Sequence, residues 1–134
     1  MGKSMTFIET EVGSAIVDGA EKLLTHLVRK ESGARTMAYG DFATWIRTNF
    51  GVKMVSNGKQ MDEILEAISR RSHAQHGFML SAVVGNTARK ENEPIHPPGA
   101  LFFELAAALE LEVVDRTMFV IKQRGAARKA LRLT

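Results

Sequence analysis

The sequence predicts an α+β fold of the winged helix-turn-helix kind, and three observations predict it. Two short amphipathic helical patterns meet near Gly51, a seven-residue apolar run from Phe78 to Val84 follows, and a polar, proline-containing loop comes next. Helix, turn, helix, strand and polar excursion is the order in which a winged helix is laid out. With 134 residues, 45% of them apolar, the chain can bury one sizeable core. It is read as a single domain over 1–134, with an N-terminal helix at 6–30, a winged-helix-like core at 37–112 and a basic segment at 113–134.

Apolar residues at Ile8, Val12, Ile16, Ala20, Leu23, Leu24, Leu27 and Val28 trace one helical stripe. A long helix over 6–30 is therefore expected, stopped by Lys30-Glu31-Ser32-Gly33. Gly13 and Gly19 weaken it by roughly 1 kcal/mol each relative to alanine. Its stripe is wide enough either to pack on the domain or to form a seam with a second copy or another protein.

Tyr39, Phe42, Ala43, Ile46 and Phe50 mark the buried face of a second helix ending at Gly51. Trp45 falls off that stripe and either reaches a neighbouring element or stays partly exposed. After the extended segment Gly51–Asn57, Ser56 or Asn57 can cap a third helix, buried through Met61, Ile64, Leu65 and Ile68 and stopped at Gly77. In a helix-turn-helix the third helix is the recognition element, presenting Lys59, Gln60, Glu63, Ala67, Arg70, Arg71 and Ala74 outward. Its amides and guanidinium groups suit base edges and phosphates, whereas Asp62, Glu63 and Glu66 among them repel phosphate. The linker of about six residues exceeds the tight turn of the simplest motif, so a plain helical pair in a mixed domain is the competing reading.

The run Phe78–Val84, bounded by Gly77 and Gly85, has the length of a strand buried on both faces. Its expected partners are Lys53–Val55, the stretch around Met37, and Val113–Val120, the last being either strand or helix. Residues 85–99 form a long exposed loop, the wing of a winged helix, with Arg89 and Lys90 at its tip. Leu101, Phe102, Leu105, Ala106 and Leu109 define a fourth helix closing at Leu111. That helix is too apolar to stand in water and must cover the sheet or a partner.

The net charge of +3 identifies no partner, but residues 115–134 hold six basic side chains against one acid, Asp115. Such a tail is either a phosphate-binding arm or a solvated helix face. No apolar run approaches the roughly 20 residues that span a bilayer, so no membrane partner is expected. The first residues lack a basic-then-apolar secretory pattern. The absence of cysteine excludes disulfides, cysteine nucleophiles and thiolate zinc sites and makes a cytoplasmic location the expectation.

Catalysis finds no comparable signature: there is no Gly-rich phosphate loop, His-Glu-x-x-His motif or Gly-x-Ser-x-Gly elbow. His73 and His76 share a helical face, and with His96 three nitrogens could converge on zinc. Histidines near a helix C-terminus more commonly meet its dipole and solvent. Ser81, inside an apolar run, reads as a core hydroxyl. No cofactor, metal site or enzymatic activity is expected.

Tyr39-Gly40-Asp41-Phe42-Ala43, a second helix, then Leu80-Ser81-Ala82-Val83-Val84 and a Pro/Gly loop into Phe102-Phe103 resemble segments of uncharacterised bacterial mobile-element or phage-defence proteins. The same order, over about residues 39–105, is similar to the winged-helix domain of alkyltransferase-like DNA repair proteins. This chain lacks the cysteine nucleophile of the alkyltransferases, so the resemblance implies a winged helix and DNA binding, not alkyl transfer. The expected function is non-catalytic binding of duplex DNA. Lys59, Gln60, Arg70 and Arg71 would approach the groove, Arg89 and Lys90 the backbone, and Arg124, Arg128 and Lys129 further phosphates. The alternative is a protein-interaction subunit or inhibitor burying its apolar helices, notably 6–30 and 100–111, against a partner chain.

Overall fold

The computed structural model describes residues 6–31, 33, 35–87 and 94–132. It is mostly helical, with α1 at Glu11–Arg29, α2 at Tyr39–Phe50, α3 at Lys59–His76, α4 at Ala100–Ala108 and α5 at Arg116–Leu131. Two short strands, β1 at Met37–Ala38 and β2 at Val84–Gly85, pair in parallel, Met37 opposite Val84 and Ala38 opposite Gly85. The fold is thus α+β in the coarse sense. No described helix is long and apolar enough to cross a membrane.

The expected helix at 6–30 is broken near its start. Phe7–Glu9 form a 3-10 turn, and α1 begins after Thr10, whose Oγ1 donates to Phe7 O at 2.6 Å and accepts from Gly13 N at 3.0 Å. Glycine at position 13 lets the turn fold back, because a Cβ there would come within 1.8 Å of Phe7 O. From Ile16 to Val28 the stripe is buried, Leu23 only in part, and packs on α2, α3 and α5. Most of the apolar face of the first helix lies inside the domain, whereas Val12 stays exposed. Burial of each large aliphatic side chain stabilises the fold by roughly 1.5–3 kcal/mol.

Helix α2 follows its expected bounds, closing at Gly51 with φ 66° and the Gly51 N–H bonded to Arg47 O. Trp45 stacks beside Phe42 and meets Phe50 edge-on, at ring-centroid distances of 6.3 and 5.7 Å. Both Trp45 and Phe50 lie against Gly19 of α1, so that glycine provides a seat rather than a weak point. Helix α3 is capped by Gly58, not by Ser56 or Asn57, and ends at Gly77 with φ 85°. Helix α2 rests mainly on α1 and the strands, and α3 mainly on α1, α4 and the two 3-10 turns.

The run Phe78–Val84 is buried throughout, as expected, but it is not a central strand. Leu80–Val83 form a 3-10 turn, and only Val84 and Gly85 enter the sheet. Side chains satisfy the backbone where strands were expected to do so. Ser72 Oγ accepts from Leu80 N at 2.9 Å and donates to Phe78 O at 2.7 Å, Ser69 Oγ accepts from Ser81 N at 3.0 Å, and Gln123 Oε1 accepts from Met79 N at 2.8 Å. With these groups paired by side chains, no ladder is required. Of the expected partners only the stretch at Met37 pairs. Lys53–Val55 is irregular, and the Val113–Val120 stretch runs into α5, capped by Asp115, whose carboxylate accepts from Met118 N at 3.0 Å.

The 3-10 turn separates two apolar clusters. Leu80, Val83 and Val84 join the main core of α1, α2 and α3, whereas Met79 and Ala82 join Phe102, Leu105, Phe119 and Val120 beneath α4 and α5. Helix α4 ends in a Schellman arrangement: Leu111 N bonds to Ala106 O and Glu110 N to Ala107 O, both at 2.9 Å, with Glu110 at φ 62°. Neither α1 nor α5 has a glycine cap. Instead Arg29 Nε donates to Leu131 O, and Arg128 donates to Val28 O and Lys30 O at 3.1 Å, so each helix supplies an arginine to the other's C-terminal carbonyls.

Candidate interaction groove

A groove of about 470 Å³ lies between α3 and α4. Met61 and Leu65, one turn apart on α3, form one wall. Leu101, Leu105 and Ala108, at i, i+4 and i+7 on α4, form the other. Leu101 remains 51% exposed at the lip. A polar corner is formed by Tyr39, Asn86 and Gly99, where the Tyr39 hydroxyl accepts from Gly99 N at 2.7 Å. Ser81 reaches the groove from below, its Oγ 2.6 Å from Ser69 Oγ.

Charge on the walls is uneven. Asp62 and Glu66 of α3 and Glu104 of α4 line the groove against one cation, Arg70, which Glu66 holds at 2.9 Å. Burial raises the Asp62 carboxyl above its ordinary range. Burial also raises the Tyr39 phenol, nearby Asp62 adding to the shift and the Gly99 N–H opposing it. The arrangement can accept apolar side chains on its floor and a cation at its rim. Among the described residues no histidine lines it, and of its serines Ser56 and Ser81, the Ser81 hydroxyl is engaged with Ser69.

Of the nine residues proposed for nucleic-acid contact, the seven that are described point in different directions. Lys59 and Gln60 are exposed at the start of α3. Arg70 belongs to the groove, whereas Arg71 points to α1, pairing with Asp18 at 2.7 Å and lying 3.9 Å from Glu21. Arg124 turns inward, its guanidinium donating to Ala82 O, Ile95 O and His96 O at 2.7 to 2.8 Å. Burial lowers its pKa to about 10. Arg128 is occupied by the carbonyls at the end of α1, and Lys129 is exposed on α5. Arg89 and Lys90 lie outside the described residues. Among the described residues these side chains do not gather on one face: Arg71, Arg124 and Arg128 hold elements together.

The three histidines do not assemble a metal site. His96 Nδ1 lies 2.7 Å from Thr36 Oγ1 and His76 stacks on Phe78, and among the described residues no group of three or more potential ligands is placed to hold a metal. The groove residues Asp62, Leu65, Leu101, Glu104 and Ala108 were not singled out from the sequence as a site. One signal was present: the fourth helix carries more apolar surface than a single core contact uses, and Leu101 is the excess. Comparison with protein-family models, with curated proteins and with solved structures returned no match.

Proposed function

We propose that this chain is a non-catalytic interaction module whose α3–α4 groove takes an apolar helical segment of a partner protein. The observation that supports this most is an open groove with apolar walls between α3 and α4. Carboxylates also line this groove, and phosphate would be repelled there. Grooves of this size with apolar walls and a few polar groups are the usual form of a binding site, and amphipathic helices are a recurrent occupant.

The test is titration of the ¹⁵N-labelled protein with an uncharged, leucine-striped helical peptide. The expected result is shift changes concentrated at Leu65, Leu101 and Ala108 that vanish in an Ala108→Trp variant, which fills the groove from an exposed position. Dispersed or absent changes would remove the reading.

Duplex DNA binding is the second reading, and the exposed Lys59, Gln60, Lys122 and Lys129 favour it. The winged-helix arrangement belongs to this reading, with α2 and α3 as the helical pair and the loop at 85–99 as the wing. The association with mobile elements or phage defence belongs to it as well, through the resemblance over 39–105. A labelled random duplex titrated at about 50 and about 200 mM salt tests it, since phosphate-driven affinity falls by orders of magnitude over that range. Under either reading a cytoplasmic location remains an expectation from the cysteine-free composition.

A further inference from the structure

We infer that the α3–α4 groove selects a basic partner, an amphipathic helix of another protein that seats aliphatic side chains on the groove floor and lysine or arginine against its rim. This rests on the groove reading above and adds the partner's charge. Asp62, Glu66 and Glu104 face the groove and, among the described residues, only Arg70 opposes them, although the whole chain carries +3. The groove is thus negative on a positive protein. Burial has removed part of the water around Asp62, and an opposite charge restores what burial takes away.

The dimensions suit a short helix. From Met61 to Arg70 the α3 wall runs about 14 Å, and the nine residues of α4 run about 13 Å, at 1.5 Å per residue. A partner helix of two to three turns matches that length and presents apolar side chains at i, i+3 or i+4 and i+7 to the floor. The cations flanking such a stripe would then meet the acidic groups on both walls. One segment of this chain has related chemistry: α5 exposes Met118 and Ile121 beside Lys122 and Lys129. A second copy is therefore the competing occupant.

Three labelled helical peptides of one leucine stripe, differing only in whether the remaining face carries lysine, glutamine or glutamate, distinguish the possibilities by fluorescence anisotropy. The lysine peptide is expected to bind about tenfold tighter than the glutamine peptide, as three exposed ion pairs together would give, with the glutamate peptide weakest. In a protein bearing Asp62→Asn, Glu66→Gln and Glu104→Gln that preference should disappear while the glutamine peptide binds as before. Attraction to the net charge of the whole protein would produce the opposite order, so it cannot imitate the expected one. Equal affinities, or tighter binding of the glutamate peptide, would overturn the inference and leave the groove reading standing. Failure of all three to bind would remove both. Sedimentation showing a concentration-dependent dimer that Lys122→Glu with Lys129→Glu abolishes would also overturn it, assigning the groove to a second copy.

Discussion

Gly85 lies directly against the carbonyl of His96: a Cβ on Gly85 would stand 1.8 Å from that oxygen and 2.5 Å from the carbonyl carbon of Pro97. The contact brings the returning loop onto β2, where Asn86 N bonds to Pro97 O at 2.9 Å. Both partners are backbone, so neither can swing aside.

Gly85→Ala is accordingly expected to destabilise the protein by about 3 kcal/mol, the upper range for overpacking. Urea denaturation gives the value. A loss below about 0.5 kcal/mol would mean that the loop lifts off β2 without cost.

Arg124 and Lys129, five residues apart on one helix, should behave oppositely. Arg124→Lys leaves one ammonium in place of a planar fork that serves three carbonyls, and a cost of about 2–3 kcal/mol is expected. Lys129→Gln, at an exposed position, should change stability by no more than about 0.5 kcal/mol. Thermal unfolding of the two variants side by side checks the contrast.

Ser72 is buried, and its hydroxyl serves both Leu80 N and Phe78 O. Ser72→Ala leaves a buried N–H and a buried carbonyl without that partner. A loss of about 2–3 kcal/mol is expected, together with faster hydrogen exchange at Leu80. Unaltered exchange there would show that the 3-10 turn is held by packing alone.

Glu110 holds a left-handed conformation at an exposed position, φ 62°. Glycine adopts it without the side-chain penalty, so Glu110→Gly should stabilise by about 1 kcal/mol. A higher midpoint in thermal unfolding is the readout, and a lower one would mean that the Glu110 side chain makes a contribution outweighing the strain.

Asp62 has a carboxyl pKa raised by burial. The folded protein therefore holds this proton more tightly than the unfolded chain, and stability falls as pH rises through the Asp62 pKa. Asp62→Asn should be more stable than the parent at neutral pH, and the difference should close once pH drops below the ordinary aspartate range. Denaturation midpoints of both proteins between about pH 3 and 7 supply the comparison, and a gap that is constant across that range would remove burial as its cause.

Much of the helical layout was legible because its signals are local. The stripe Phe42, Ala43, Ile46 and the glycines at 51 and 77 mark α2 and the end of α3 without reference to anything distant. The run at 78–84 was legible in burial but not in conformation, because the groups that accept from its N–H donors belong to Ser69, Ser72 and Gln123, and no periodicity announces them. Likewise β-favouring Val113 and Val120 suggested a strand, yet the Asp115 cap and the packing of Phe119 and Val120 on Phe102 and Leu105 carry the chain into a helix. Arginine direction was the least legible feature. Arg70 and Arg71 are neighbours in sequence, but a helical step of 100° sends one to the groove and the other to Asp18. Arg124 lies in the most basic segment yet faces inward, because the carbonyls of Ala82, Ile95 and His96 require donors.

The exchange of arginines between α1 and α5 also sets a timetable for synthesis. The Arg29 donor meets an acceptor 102 residues later in the chain. At about 5–20 residues per second on the ribosome, α1 waits roughly 5 to 20 s before α5 arrives to cover its remaining apolar face. During that interval α2 and α3 are its shelter, and a nascent chain stalled before residue 116 would leave the α5-facing side of α1 uncovered, a target for chaperones that recognise exposed aliphatic surface.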